Sequence, residues 1–336
     1  MSVLGQGIVP SGNIGTELTY VTRRAFIPKM IVQIYNASPL MAALLANAQT
    51  ASGGVSSVSV PVQGASFVTA QWSDYSGSFT GPAVQQGASL AEFDLKLAIT
   101  PVPFLGMEGA VQVNHAVVPL IEARMNDATN NTIDLMSTAL YNNTSNNQQF
   151  IGLPGAIDNG ATLNVYGNFN RTSSTFWKAN LYTPASTTTP TRNLILQYIV
   201  GTVKACGEKP TFGITGPGTW ALLAEDFTGL ERYLVTPKEA FSDSAFGVKG
   251  AFQALMVAGV PIYFDQYATE GTLYLFNDNY GALYVHEDAA FAFTGFASTL
   301  PNFQVGFVGA VLTVAELVVA KPKAMTQIQN LGYLTV

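Results

Sequence analysis

The sequence predicts an α+β fold, and three observations predict it. Residues 51–100 alternate apolar and polar residues on either side of a Gly/Ser/Gln-rich tip, as a long two-stranded ribbon would. Residues 116–142 carry one apolar stripe at helical spacing over a length of about 40 Å. From Thr191 to Ala320 a helix–strand–helix run gives way to segments that are mostly strands.

The 336 residues allow about two domains, and 48% hydrophobic residues can bury a large core. Charged residues make up only 11%, against about 25% in ordinary globular chains. That combination is the opposite of the signature of disorder. A net charge of −6 gives no basic footprint for a dedicated nucleic-acid binder. The single cysteine, Cys206, excludes an intramolecular disulfide and any zinc site built on several thiolates.

Residues 1–22 are Gly-rich, polar and without periodicity, and they predict an extended arm that cannot bury a core alone and is either mobile or laid on a partner. Phe26, Met30, Ile31 and Ile34 predict a helix over 24–35. Ser38 followed by Pro39 is an N-cap with proline at the first helical position, opening a second helix through Leu45. In the ribbon, Val55, Val58, Val60 and Val62 form the outgoing alternation, and Leu90, Phe93, Leu95, Leu97 and Ile99 the returning strand. A lone hairpin is marginal in water, so this one needs a surface to lie on. Two seats are open to it, its own domain or a neighbouring copy.

The long helix carries Val118, Ile121, Met125, Ala128, Leu135, Met136, Ala139 and Leu140 on its stripe. A polar, turn-rich connector with Tyr166, Phe169 and Trp177 follows, from Gly152 to Pro190. The next helix opens at Thr191 or Arg192, places Leu194, Ile195, Tyr198, Ile199, Val203 and Cys206 on one face, and stops at Gly207. A buried strand at Thr211–Thr215 and a helix from Pro217 come next, then strands punctuated at Gly259, Glu270-Gly271 and Asn277-Asp278-Asn279. The apolar stretch 303–320 holds Gln304, Thr313 and Glu316, which fits one or two buried strands better than a membrane helix. The first residues lack the basic and apolar regions of a signal peptide, so the expectation is a soluble chain made in the cytoplasm.

Chemistry-bearing patterns are scarce. The nucleophile elbow, the phosphate loop and the dinucleotide fingerprint are all absent. Gly216-Pro217-Gly218 precedes a helix, but Pro217 lacks one of the donors an anion site would use, and a plain turn is expected. A catalytic triad would need His115 or His286. The sharpest alternative is a metal or catalytic group of His286, Glu287 and Asp288 with Asp265 or Asp278. On a strand, however, His286 and Glu287 point to opposite faces, and a solvated strand end is the better reading. Cys206 is expected to be a buried structural thiol, and Glu225-Asp226 a solvated helix face. No catalytic residue, cofactor or metal is expected.

The order arm, helix, long hairpin, long helix, mixed domain and strand-rich return resembles the major capsid proteins of tailed bacteriophages with the Hong-Kong-97-type fold. Gly152-Leu153-Pro154-Gly155-Ala156-Ile157-Asp158, Tyr166-Gly167 and Phe176-Trp177-Lys178-Ala179-Asn180 are similar to the connector of one capsid subfamily. Gly259-Val260-Pro261-Ile262-Tyr263 and Gly281-Ala282-Leu283-Tyr284 are similar to its later strands. The resemblance implies an N-terminal arm at 1–25, a first piece of the peripheral domain at 26–49, and an extended loop at 50–100. It further implies a peripheral domain with its spine helix at 101–146, an axial domain at 147–298, and a return to the peripheral domain at 299–336.

The implied function is a non-enzymatic major capsid protein. It would assemble with copies of itself into pentamers and hexamers of an icosahedral or prolate head around double-stranded DNA, held without sequence specificity. The alternative is an encapsulin-like nanocompartment shell. The implied location is the virion, after assembly in the host cytoplasm. The implied partners are a portal, a decoration or cement protein and, because the arm begins almost at Met1, a separate scaffolding protein or none. No membrane is involved. Residues 50–95 contain no lysine, so lysine-based autocatalytic crosslinking is not expected. Contacts between copies are expected at Arg23 and Arg24 on the arm, and at Trp72, Asp74, Tyr75 and Phe79 at the hairpin tip.

Overall fold

The computed structural model describes residues 38–64, 72, 87–105, 120–142, 148–228, 234–235, 254–298 and 306–335. The expected arm, the helix over 24–35, His115 and most of the hairpin tip lie outside these residues. The chain divides into two compact units. One takes in Ile99–Asp134 and Phe291–Thr313; the other takes in Asn36–Ala98, Leu135–Ala290 and Val314–Val336.

The larger unit is built on a seven-stranded sheet of β7 (Asn180–Tyr182), β17 (Thr326–Ile328), β12 (Leu273–Phe276), β8 (Phe212–Thr215), β11 (Val260–Phe264), β10 (Ala254–Val257) and β9 (Leu234–Val235), in that order. β8 runs parallel to β11 and antiparallel to β12. The β10–β11 turn is tight because Ala258 and Gly259 both take positive φ, 51° and 75°, the pair of values a type I′ turn requires. β8 and β12 are buried at every residue, as central strands must be.

Two helices contribute to this core. α4 (Arg192–Cys206) starts at Thr191, whose hydroxyl accepts the Leu194 N–H, and stops at Gly207 in the left-handed region at φ 78°. Ile195 and Ile199 enter the core with Leu223 of α5 (Pro217–Thr228), Leu255, Val257, Val260, Ile262, Leu273, Leu275 and Ile328. The buried face of α4 ends in Thr202, whose hydroxyl meets that of Thr326. Val203, one residue further round, faces out. Cys206 is half-buried, not buried as expected, because the helix ends beside it and its thiol turns onto the Glu208 carbonyl at 3.2 Å.

A second sheet joins β1 (Gln49–Ala51), β13 (Gly281–His286) and β16 (Gly306–Val319). β1 pairs in parallel with β13, and β13 antiparallel with the C-terminal half of β16, from Gly281↔Val319 to Val285↔Ala315. The Val-rich stretch is therefore a single 14-residue strand. α1 (Pro39–Ala46) carries the predicted cap, with the Ser38 hydroxyl accepting the Met41 N–H at 3.2 Å.

In the smaller unit the N-terminal half of β16 pairs with β14 (Ala292–Phe293) and β15 (Ala297–Ser298). Its core is Val102 of β4 (Lys96–Leu105), Ala128 and Val311, backed by Phe291 and Phe293. Thr100 and Thr132 share a buried hydroxyl contact of 2.7 Å.

The long helix, α2, runs over Leu120–Leu140. Its buried stripe is Ala128, Thr132, Met136 and Leu140, at steps of four. Leu135 lies one residue off that line and is 52% exposed, against the expectation that it faces the core.

Candidate assembly surface

The hairpin is the element with least to bury on itself. β2 (Ser57–Gln63) and β3 (Ala88–Asp94) pair antiparallel from Ser57↔Asp94 to Gln63↔Ala88. Side chains alternate between its faces. Val58 and Val60 lie with Phe93 and Ala91 on one face; Ser59, Pro61, Leu90 and Glu92 lie on the other. Pro61 is tolerated because a two-stranded ribbon has only edge strands. The expected single strand over 90–99 breaks at Leu95, whose N–H turns back to the Ser56 carbonyl at 3.0 Å, so β3 and β4 are separate.

The root of the ribbon is seated on its own chain. Phe93 meets Tyr166 edge-on, with ring centroids 5.0 Å apart. The Glu92 N–H donates to the Gly167 carbonyl at 3.3 Å, and the Asn168 side-chain amide donates to the Glu92 carboxylate at 2.9 Å. Gly167 is required here twice over: its φ is +56°, and a Cβ would stand 2.8 Å from the Phe93 ring. Gly64 meets Phe176 in the same way, at 2.7 Å.

The seat is the connector, which holds the short α3 (Leu153–Ala156) and the pair β5 (Val165–Tyr166) and β6 (Phe169–Asn170), and is polar in composition but knotted around aromatic rings. Trp177 packs on Tyr166, Phe169 and Phe176, and its indole N–H donates to the Tyr166 carbonyl at 2.9 Å. The Tyr166 hydroxyl donates to the Leu317 carbonyl at 3.3 Å and accepts the Val319 N–H at 3.0 Å. It thus stands in for a neighbouring strand along β16. Burial pushes the ionisation of Tyr166 far above its ordinary value.

Arg171, fully buried, completes the knot. Its guanidinium donates to the carbonyls of Gly155, Ala156 and Leu163 at 2.8, 2.7 and 3.1 Å, and lies 5.0 Å from the centre of the Tyr166 ring. Asp158 stands 3.8 Å away and accepts the amides of Gly160, Thr162 and Leu163. Desolvation lowers the pKa of Arg171, while Tyr166 and Asp158 work against that loss of charge.

The outer side of the ribbon is different. Leu90 on β3 is 58% exposed, and Leu97 on β4, just beyond the ribbon, is 49% exposed. Trp72, at the tip, is fully exposed. Of the six residues expected at contacts between copies, Trp72 alone is described; Arg23, Arg24, Asp74, Tyr75 and Phe79 lie outside the described residues.

The residues singled out for chemistry are engaged elsewhere. His286 Nδ1 accepts the Asp288 N–H at 3.2 Å, a local cap with Glu287 and Asp288 in solvent. Asp265 is buried in a separate clamp, where it accepts the hydroxyls of Ser38 and Tyr141 and the Tyr267 N–H. Burial raises its pKa, and those hydrogen bonds oppose the rise. Asp278 sits on an exposed turn. Among the described residues no three His, Cys, Asp or Glu side chains converge as a metal site would require. The start of α5 does hold an anion, but it is the chain's own Glu270, which accepts the amides of Gly218 and Thr219 at 2.9 and 3.1 Å. Asp226, expected to be merely solvated, accepts the Arg192 N–H at the head of α4 at 2.8 Å.

The sequence reading missed the roles of Arg171 and Glu316. An arginine among Asn, Thr and Ser reads as solvated, and only its neighbours Tyr166 and Trp177 hint at burial. Glu316, the one carboxylate within the Val-rich strand, was a visible signal.

No family profile matches the sequence, and no curated protein matches it significantly. Solved structures do match in fold. The capsid asymmetric unit of cyanophage A-1(L) superposes with a TM-score of 0.66 at 13% identity, covering 94% of this chain and 99% of that one. The capsid of a native GTA particle gives 0.60 at 10% identity, covering 95% and 99%. The holo-SrpI encapsulin of Synechococcus elongatus PCC 7942 gives 0.59 at 13% identity, covering 96% and 98%. At such identities the likeness is one of fold, and the fold is the Hong-Kong-97 type.

Proposed function

We propose that this chain is the major capsid protein of a tailed phage, a non-enzymatic subunit whose copies close into a shell around double-stranded DNA. The observation that carries the reading is the end-to-end match of fold to capsid subunits, with both chains covered almost completely. The hairpin agrees with it. Its root is anchored on its own connector, while Leu90 and Trp72 are left exposed for a neighbour. Interfaces between unlike patches close into rings when the rotation permits, and rings of five and six tile a shell. A net charge of −6 suits a container that must not grip phosphate.

In this reading residues 1–25 are the arm and 50–100 the extended loop. Residues 26–49, 101–146 and 299–336 make the peripheral domain, and 147–298 the axial domain. Arg23, Arg24, Asp74, Tyr75 and Phe79 join Trp72 at contacts between copies. A scaffolding protein, a portal and a cement protein are the expected partners. Assembly takes place in the host cytoplasm, and the virion is the final location.

Electron microscopy of the purified full-length chain tests the proposal. Closed shells or rings of five and six subunits are expected. A protein that stays monomeric across concentration, salt and crowding conditions would overturn it. The match to an encapsulin supports a second reading, a nanocompartment shell. Shells purified from the native source should then hold a protein cargo instead of DNA.

A further inference from the structure

Glu316 is a carboxylate in an unusual position. It lies in the apolar half of β16, is 3% exposed, and one of its carboxyl oxygens, Oε2, has no hydrogen-bond partner among the described residues. Its carboxyl group accepts a hydrogen bond from the Ile151 amide. The groups that face it are few. Tyr284 of β13 is directly opposite in the ladder. Lys96 and Asp94, which act on its charge, belong to the foot of the hairpin, where β3 passes into β4. Tyr166 of the connector also feels it. Glu316 directly precedes Leu317, whose carbonyl accepts the Tyr166 hydroxyl on which Phe93 is seated, so its charge is felt at the hairpin seat.

Water has a way to its edge. A groove of about 440 Å³ is lined by Gln49, Asp278, Tyr280, Ala282, Tyr284 and Val318, among others. Tyr284 is the cross-strand partner of Glu316, and Val318 is the next residue on the same face of the strand. The groove thus reaches the residue opposite Glu316 on β13 and stops two residues away along β16. A proton can leave by that route without general unfolding. The anion left behind would have one oxygen unpaired in an apolar wall, the costliest state for a buried carboxylate.

We infer that the foot of the hairpin is a proton-held latch, seated while Glu316 carries its proton and released more readily as that proton is lost. The inference goes beyond the assembly reading and rests on the geometry of this unit alone. The sign follows from linkage. The site is closed with the carboxyl protonated up to about pH 8, whereas an opened, hydrated Glu316 ionises near its ordinary value of about 4.3. The hold is full below the ordinary value and is lost as pH rises towards about 8. Across that window each pH unit makes opening about tenfold more frequent, and above it opening levels off.

Hydrogen exchange of the full-length subunit reads this directly, because the Glu92 amide is bonded to Gly167 across the seat. After correction for the intrinsic rate, protection of the Leu90–Leu95 segment should fall about tenfold per unit from pH 5 to 8 and then flatten. In Glu316→Gln, which mimics the protonated side chain, the slope should vanish. An equal slope in Glu316→Gln, or no slope in the parent, would overturn the latch. Should Glu316→Gln fail to fold, Lys96→Met decides. Lys96 lowers the pKa of Glu316, so its removal should carry the plateau to higher pH; a plateau that does not move would also overturn the latch.

Discussion

Phe93 stands edge-on to Tyr166 with ring centroids 5.0 Å apart, and this pair joins the hairpin to the body of the subunit. The ribbon has little core of its own, so the pair and the Glu92–Gly167 hydrogen bond hold its root. Phe93→Ala should destabilise the isolated subunit by about 3 kcal/mol, the usual scale for emptying a buried phenyl site. Urea unfolding measures that loss, and on the proposed function the yield of shells should fall with it. An unchanged midpoint would mean that the hairpin is seated by something else.

Tyr166→Phe removes a single oxygen yet leaves two backbone groups of β16 without a partner, the Leu317 carbonyl and the Val319 amide. A loss of about 1–3 kcal/mol is expected, the cost of buried polar groups left unsatisfied. Thermal unfolding provides the check. A near-neutral result would show that water or a shift of β16 satisfies both groups.

Trp72→Ala separates folding from assembly. Trp72 is fully exposed in the subunit, so its removal should change subunit stability by no more than about 0.5 kcal/mol. If the tip meets a neighbour, the same change should weaken association by about 2 kcal/mol or more per contact, as buried interface tryptophans do. Light scattering during assembly reports it. Full assembly at unchanged concentration would remove Trp72 from the interface.

Glu270→Ala should expose the amides of Gly218 and Thr219 at the head of α5 and cost about 1 kcal/mol, the usual value of a helix cap. Glu270→Gln should recover part of this, since its amide oxygen can still accept. Chemical unfolding of both variants tests the order. The reverse order would show that the carboxylate acts through something other than these two bonds.

These elements differ in how far the sequence disclosed them. The Ser38 cap, the Gly207 stop and the ribbon alternation were legible because each is a local rule written in adjacent residues. Thr202 and Val203 show where local rules fail. Helical spacing admits either to the core face, and only the Thr326 hydroxyl across the gap selects the threonine. Leu135 failed for a related reason, since the buried line through Ala128, Thr132, Met136 and Leu140 tolerates a threonine that composition would have excluded. The seat itself was hidden deepest. The polar connector owes its order to Arg171, whose partners are backbone carbonyls that no side-chain pattern can display.

The Arg171 cage has a consequence for ion dependence. Three carbonyl oxygens and a carboxylate gathered around one positive centre are the sort of ligand set that other loops offer to a calcium ion. Here the positive centre is tethered to the chain. It cannot be diluted away, exchanged or chelated, and a guanidinium keeps its charge through the ordinary pH range. The connector is therefore expected to keep its shape, and the hairpin its seat, when a chelator strips divalent cations, which circular dichroism with and without chelator checks.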